Sequence, residues 1–321
     1  MVRNRGPHEV FIALNGLLKD SIEPIRAAFD GLLPQENIRV WNAVGPVAGI
    51  DANNDWRRQS SEWVRESFLA SLRPDIVHVS SLFEGLVDDA VTSIGEISRT
   101  TPTAVTLYDL IPYINRKPYL ENSAIEAWYL EKIGHLRRAD LWLAISESSR
   151  REGISHLDLP DTWSINISTD ADSQFRPLSV SAESEQALRK EYGLNRPFVM
   201  YTGGIDHRKN IEGLIRAFAK LPKSLRKDHQ LAIVCSVQPE SKHMLEQLAA
   251  QHGLSKNDVI LTGFVPEDDL VALYNFCTLF VFPSWHEGFG LPALEAMRCG
   301  APVIGANTSS LPEVIGWKEA L

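Results

Sequence analysis

Within Pro283-Ser284-Trp285-His286-Glu287-Gly288-Phe289-Gly290-Leu291-Pro292-Ala293-Leu294-Glu295, two carboxylates flank a pair of glycines. An apolar run ends at Pro283, Pro292 sits where a helix begins, and Gly300 is placed to end it. The N–H groups of Phe289, Gly290 and Leu291 then stand unpaired at a helix N-terminus. Such a terminus attracts an anion, because free donors and the positive end of the helix dipole point the same way and glycine lets a ligand approach the backbone. A carboxylate accepts two hydrogen bonds from neighbouring hydroxyls, so Glu287 and Glu295 suit a ligand with hydroxyls on both sides of its phosphates. A sugar nucleotide is such a ligand. The plainer reading makes Glu295 a complement to the helix dipole and Glu287 a solvated loop residue.

A second loop, Tyr201-Thr202-Gly203-Gly204-Ile205-Asp206-His207-Arg208-Lys209-Asn210, again follows an apolar run, carries a glycine pair and leads into a helical segment that Asn210 is placed to cap. Arg208 and Lys209 stand where the helix dipole disfavours cations, so in an acidic chain their presence points to an anion joining them; two solvated surface bases are the plain alternative.

The elements that must hold these loops alternate in type. Val10 to Leu14, Ile38 to Trp41, Asp75 to Ser80, Thr103 to Tyr108, Leu141 to Ile145 and Trp163 to Ile167 read as strands, with helices over Asp51 to Leu72, Asn122 to Arg138 and Ser146 to Leu157. After a polar stretch, Ser179 to Glu185, a fresh series of strands runs from Phe198 to Thr202, Leu231 to Cys235, Val259 to Leu261, Leu279 to Pro283 and Pro302 to Ile304. The pattern is that of an α/β protein with two Rossmann-like domains, 1–177 and 178–321, leaving a cleft between them. In open parallel sheets ligands sit beyond the carboxyl ends of the strands.

The 321 residues carry a net charge of −9, which argues against holding nucleic acid by bulk electrostatics. Three cysteines, Cys235, Cys277 and Cys299, lack zinc spacing and read as reduced thiols of a cytoplasmic protein. No apolar stretch reaches the length of a membrane span. The segment around Ala124 to Ile133 is amphipathic and ends at Arg137-Arg138, so it offers a peripheral membrane contact, although such a stripe ordinarily faces the sheet.

The Arg-Lys-Asn loop taken with Glu287, Glu295 and Gly-Phe-Gly-Leu-Pro resembles the donor half of glycosyltransferase family 4, retaining enzymes of the GT-B fold. The similarity extends to Asp75-Ile76-Val77-His78-Val79-Ser80, Tyr108-Asp109-Leu110-Ile111-Pro112 and Ala139-Asp140-Leu141-Trp142-Leu143-Ala144-Ile145-Ser146. It implies that Arg208 and Lys209 hold the donor diphosphate, Glu295 binds ribose hydroxyls and Glu287 contacts the donor sugar. The backbone of Gly203, Gly204, Gly288, Phe289, Gly290 and Leu291 would line sugar and phosphate, and Phe264 and Val265 would contact the base. Asp109 would face the cleft as an electrostatic group; its plain reading is a turn-capping aspartate, as Ser146 reads as a helix cap. The implied donor is a nucleotide diphosphate sugar, GDP-mannose or a UDP-sugar. The implied acceptor is a glycan or lipid-linked hydroxyl, with no cofactor and no metal, since no Asp-x-Asp motif is placed to hold one.

The chain departs from the pattern in places. The family usually has Arg where this sequence has Gly204, and many relatives carry His where it has Tyr108. The sequence starts at what resembles the family's second strand and stops at Trp317-Lys318-Glu319-Ala320-Leu321. An abridged form lacking its first βα unit and final helices is therefore expected, with an open edge in the first domain. A nucleotide-sugar binding module without turnover is the alternative. A dinucleotide-dependent oxidoreductase is disfavoured, because no Gly-x-Gly-x-x-Gly follows a strand with an acidic residue some 20 positions on.

Overall fold

The computed structural model describes residues 2–316 and Ala320. The chain divides into two units, Met1–Ala144 with Arg150–Ile167, and Ile145–Ser149 with Ser168–Leu321.

The first unit runs β1 (Ile12–Asn15), α1 (Lys19–Ala28), β2 (Ile38–Trp41), α2 (Asp55–Ser71), β3 (Val77–Val79), β4 (Thr103–Leu107), α3 (Ile111–Ile114), α4 (Arg116–Tyr119), α5 (Ser123–Arg137), β5 (Leu141–Ala144), α6 (Glu147–Leu157), whose opening residues up to Ser149 belong to the second unit, and β6 (Ser164–Asn166). Every strand pairing is parallel: β1 lies on β2, and β3, β4, β5 and β6 form a second sheet in that order. The outer edges of β1 and β3 carry no strand among the described residues. Backbone bonds from Gly49 to Gly85 and from Ile50 to Leu86, both 2.8 Å, tie the β1/β2 pair to the segment after β3. Residues 317–319 and 321, on which the expectation about final helices turns, lie outside the described residues.

In α5 the amphipathic stripe faces inward. Trp128, Tyr129, Ile133 and Leu136 are buried in the first core, and Arg138 donates to Ile94 O at 2.7 Å and pairs with Glu96.

The second unit continues with α7 (Ala182–Glu191), β7 (Phe198–Thr202), α8 (Ile211–Ala219), α9 (Lys223–Asp228), β8 (Gln230–Val234), α10 (Pro239–Gln251), β9 (Val259–Leu261), α11 (Glu267–Phe276), β10 (Leu279–Phe282), α12 (Leu291–Arg298), β11 (Val303–Gly305) and α13 (Leu311–Ile315). The polar stretch at Ser179 to Glu185 is not a plain linker. It opens α7, where Ser181 accepts from the Ser184 N–H at 3.2 Å and Glu185 pairs with Arg189 one turn on at 2.7 Å. Its polarity reflects a helix with no buried residue.

The five strands are all parallel in the order β11-β10-β7-β8-β9. Every residue of β8 is buried, as a strand covered on both faces requires. From β7 the chain winds to β8 and β9 on one side, then returns to lay β10 and β11 on the other. The order reverses between β7 and β10, and at such a switch point the loops leaving the two strands diverge to open a crevice.

Candidate functional site

The loops that leave β7 and β10 at that switch point are the two singled out by their residues. Gly203 adopts φ +134°, and a Cβ there would lie 3.1 Å from Tyr201 Oη, so this turn favours glycine. Gly204 has no such constraint, because a Cβ there meets nothing within 4 Å. The buried Tyr201 hydroxyl donates to Gly204 O at 2.7 Å and holds the turn from below. Asp206 then caps a single 3-10 turn, His207–Lys209, by accepting from the Arg208 N–H at 3.0 Å. Asn210 does not cap α8 with its side chain; it takes the left-handed conformation and donates from Nδ2 to Pro283 O at 3.2 Å. A polar residue tolerant of positive φ before a helix fits that role as well as a cap.

The two loops are stitched together. The Trp285 N–H donates to Arg208 O at 2.8 Å, and Arg208 Nη1 donates to His286 O at 2.7 Å. Glu287 is the centre of charge: its Oε2 accepts from Arg208 Nη1 at 2.8 Å and its Oε1 from Lys209 Nζ at 2.6 Å. With only 6% of Glu287 exposed, these are partly desolvated charge-assisted bonds, not a solvated surface pair. Burial pushes the Lys209 ammonium below its ordinary value, against the pull of Glu287, and its Nζ lies 5.3 Å from the centre of the buried Phe282 ring.

Beyond Glu287, Gly290 takes φ +108° and α12 starts at Leu291 with Pro292 in its first turn. Gly288, Phe289 and Gly290 are buried, and their N–H groups meet no acceptor among the described residues. Orphaned buried N–H groups are rare, so three in succession beside two cations mark a place for an anionic ligand. The fully buried Ser284 Oγ likewise has no partner among the described residues.

Glu295 lies one turn into α12, about 6 Å along the axis from Leu291. It accepts from the buried Tyr274 hydroxyl at 2.9 Å, and burial raises its carboxyl above the ordinary value. The structure thus brings Arg208, Lys209, Glu287 and the Gly288–Leu291 backbone together, with Glu295 on the helix they open. Phe264 and Val265 follow β9, at the same carboxyl edge of the sheet. Phe264 is 78% exposed, while Val265 packs on the second core. Asp109 belongs to the first unit, where its Oδ1 accepts from the Ile111 N–H at 3.0 Å.

Two groupings escaped the sequence reading. Asp170-Ala171-Asp172 is an Asp-x-Asp triplet, but Asp170 accepts from Arg298 at 2.8 Å and Asp172 from the Gln174 N–H at 3.1 Å. In the first unit Glu62, Glu131 and His135 converge closely enough to hold a metal ion. The His135 Nδ1 accepts from the Ile94 N–H at 3.1 Å, so a neutral ring carries its proton on Nε2, which faces Glu62 at 3.8 Å and Glu131 at 3.9 Å. With Lys132 Nζ also 3.5 Å from Glu62, the grouping is a buried charge network that joins α2 to α5. Lys132 and His135 on the otherwise apolar inward stripe of α5 were its only signal.

Residues 184–320 match the sequence model described as glycosyl transferases group 1. Over its whole length the chain is 40% identical to the serotype-specific mannosyltransferase WbdA of Escherichia coli, of which it covers 40%. It is 37% identical to the O-antigen chain mannosyltransferase B of Escherichia coli over 59% of this chain and 49% of that one. Among solved structures, Anabaena Alr3699/HepE in complex with UDP and glucose matches with a TM-score of 0.63 at 21% identity, covering 95% of this chain and 83% of that one. WaaG, a glycosyltransferase involved in lipopolysaccharide biosynthesis, matches at 0.60 and 18%, covering 96% and 82%. The chain spans about two fifths of the length of its WbdA relatives. Among the described residues no helix is long and apolar enough to cross a membrane. Residues 184–320 thus match the group 1 glycosyltransferases in sequence, and the chain shares the GT-B fold of the solved glycosyltransferases.

Proposed function

We propose that this chain transfers a hexose, mannose from GDP-mannose in the first instance, to a hydroxyl of a glycan or lipid-linked glycan, with retention at the anomeric carbon. The observation that carries the reading is the pairing of Arg208 and Lys209 with a buried Glu287 at the switch point, beside three N–H groups that meet no acceptor among the described residues. The names of the WbdA and O-antigen relatives support mannose and a polysaccharide product; the UDP complexes of HepE keep a UDP-sugar as the alternative donor.

In this reading the donor diphosphate enters between the loops and draws Arg208 and Lys209 from Glu287. Breaking the bond from sugar to diphosphate leaves negative charge on the leaving group and oxocarbenium character on the sugar. Arg208, Lys209 and the N–H groups of Gly288, Phe289, Gly290 and Leu291 stabilise the first without a divalent ion, and Glu287 stabilises the second. Each preorganised donor of this kind contributes about 3 kcal/mol to lowering the barrier. The departing phosphate oxygen takes the acceptor proton on the same face, which accounts for retention and leaves no need for a side-chain nucleophile. Glu295 accepts from the ribose hydroxyls, Phe264 and Val265 border the base, and Gly203 and Gly204 give the phosphates backbone clearance. Acceptor recognition falls to the first half of the chain, residues 1–177, with Asp109 as its electrostatic group. The reaction belongs on the cytoplasmic side of the membrane. The α5 stripe, buried in the core, supplies no membrane surface of its own.

The test is incubation with GDP-mannose and with UDP-sugars in the presence of oligomannose acceptors, with the anomeric configuration of the product read by NMR. Transfer with retention from one donor is expected. Tight donor binding without transfer favours the binding-module alternative, and inversion refutes the same-face mechanism.

A further inference from the structure

We infer that Ser146, Ser149 and Ser310 are positioning residues that aim the donor loop's N–H groups; the inference rests on the proposed function. Every carbonyl of Glu287-Gly288-Phe289 is taken from behind by a buried hydroxyl. Ser146 Oγ donates to Gly288 O at 2.6 Å, and Ser149 Oγ reaches the same oxygen at 3.1 Å. Ser310 Oγ shares its proton between Phe289 O at 2.6 Å and Glu287 O at 3.0 Å. All three serines are at most 1% exposed. In a trans peptide the C=O of one residue and the N–H of the next point in opposite directions. Fixing these three carbonyls therefore turns the N–H groups of Gly288, Phe289 and Gly290 the other way, and those are the three without an acceptor among the described residues.

The serines are themselves braced. Ser146 Oγ accepts from the Ser149 N–H at 3.0 Å, so the hydroxyl that caps α6 also orients the loop. Glu313, on α13 beside Ser310, accepts from the N–H groups of Glu147 at 2.8 Å and Ser148 at 2.9 Å. The first turn of α6 and the start of α13 thus form one clamp around residues 287–289. A flexible loop would have to order itself on meeting a diphosphate; this one is ordered beforehand, so the binding free energy is not spent on ordering it.

Calorimetric titration of the full chain with GDP, UDP and the two monophosphates tests the inference. Wild-type protein is expected to prefer a diphosphate over its monophosphate. Ser146→Ala and Ser310→Ala should each lose about tenfold of that preference, with monophosphate affinity retained. Ser146→Thr keeps the hydroxyl and should restore it. Ser149→Ala, which removes the longer of the two contacts to Gly288 O, should lose about threefold and serves where another variant fails to fold. Folded variants that keep the wild-type preference overturn the inference, as does an equal loss for monophosphates and diphosphates, which reports general loosening. Wild-type protein that binds neither diphosphate overturns the proposed function itself.

Discussion

Glu287→Gln separates the two roles proposed for Glu287. Its carboxylate holds Arg208 at 2.8 Å and Lys209 at 2.6 Å, so under the proposed function an incoming diphosphate competes with it for both cations. A hydrogen bond between charged groups contributes about 1.5–3 kcal/mol, against about 1 for a neutral partner. Exchanging the carboxylate for an amide of the same shape therefore releases about 1–3 kcal/mol to the phosphates, a gain on the order of tenfold to hundredfold in affinity for the nucleoside diphosphate. The exchange also removes the negative charge facing the sugar as it becomes cationic, so turnover should fall about a hundredfold. The ligand-free variant should lose about 1–3 kcal/mol of stability, because an amide replaces the carboxylate that both cations share. Calorimetry gives the diphosphate Kd, initial rates give kcat, and denaturant melts give the stability. Diphosphate affinity that falls together with turnover would refute the competition and make Glu287 a nucleotide-holding group.

Three further perturbations follow from the same geometry. Gly290→Ala places a methyl group 2.6 Å from Leu311 Cδ2 at a left-handed backbone position, so stability should drop by about 2–4 kcal/mol, visible as a Tm lower by on the order of 10 °C; Gly204→Ala, with open space, is the control expected to change nothing. Gly204→Arg should fold normally and tighten diphosphate binding severalfold by adding a cation beside Arg208, and unchanged affinity would show that the position does not face the phosphates. Nucleotide affinity should fall toward both ends of the pH range. Burial raises Glu295, so its acceptor carboxylate is lost on acidification at a pH above the ordinary 4.5, and burial lowers Lys209, so its charge is lost below the ordinary 10.5 as the pH rises. In the ligand-free protein the raised Glu295 has the opposite effect: its contribution to folding is present below 4.5 and is lost as the pH rises through its folded value. Glu295→Gln should flatten the acid limb of the binding profile, and an unchanged limb would place the titrating group elsewhere.

The sequence made the strands and both loops legible because an apolar run, a glycine pair and a helix start are local signals. Every strand of the second series appears within a residue or so of its expected position. Strand order is not local: nothing in the residues places β10 beside β7, and that adjacency is what brings Arg208 to Glu287 across 79 positions. Local polarity misled at α7, where exposed helix and linker share a composition, and at α1, where Pro24 sits inside a helix that was not anticipated. Ser146 was legible as a cap because its partner is three residues away, but its bond to Gly288, 142 positions on, carries no sequence signal. The charge network of Glu62, Lys132 and His135 was largely hidden for the same reason: its partners lie far apart in the chain, and only Lys132 and His135 on the inward stripe of α5 hint at it.

We propose that the switch-point loops hold a nucleoside diphosphate sugar through Arg208, Lys209 and the buried backbone donors. The most direct measurement is calorimetric titration of GDP-mannose and UDP-sugars into wild-type protein and Lys209→Ala. Saturable one-site binding of one nucleotide sugar by the wild type is expected, weakened about a hundredfold in the variant. Binding that survives the loss of Lys209 undiminished would contradict the proposal.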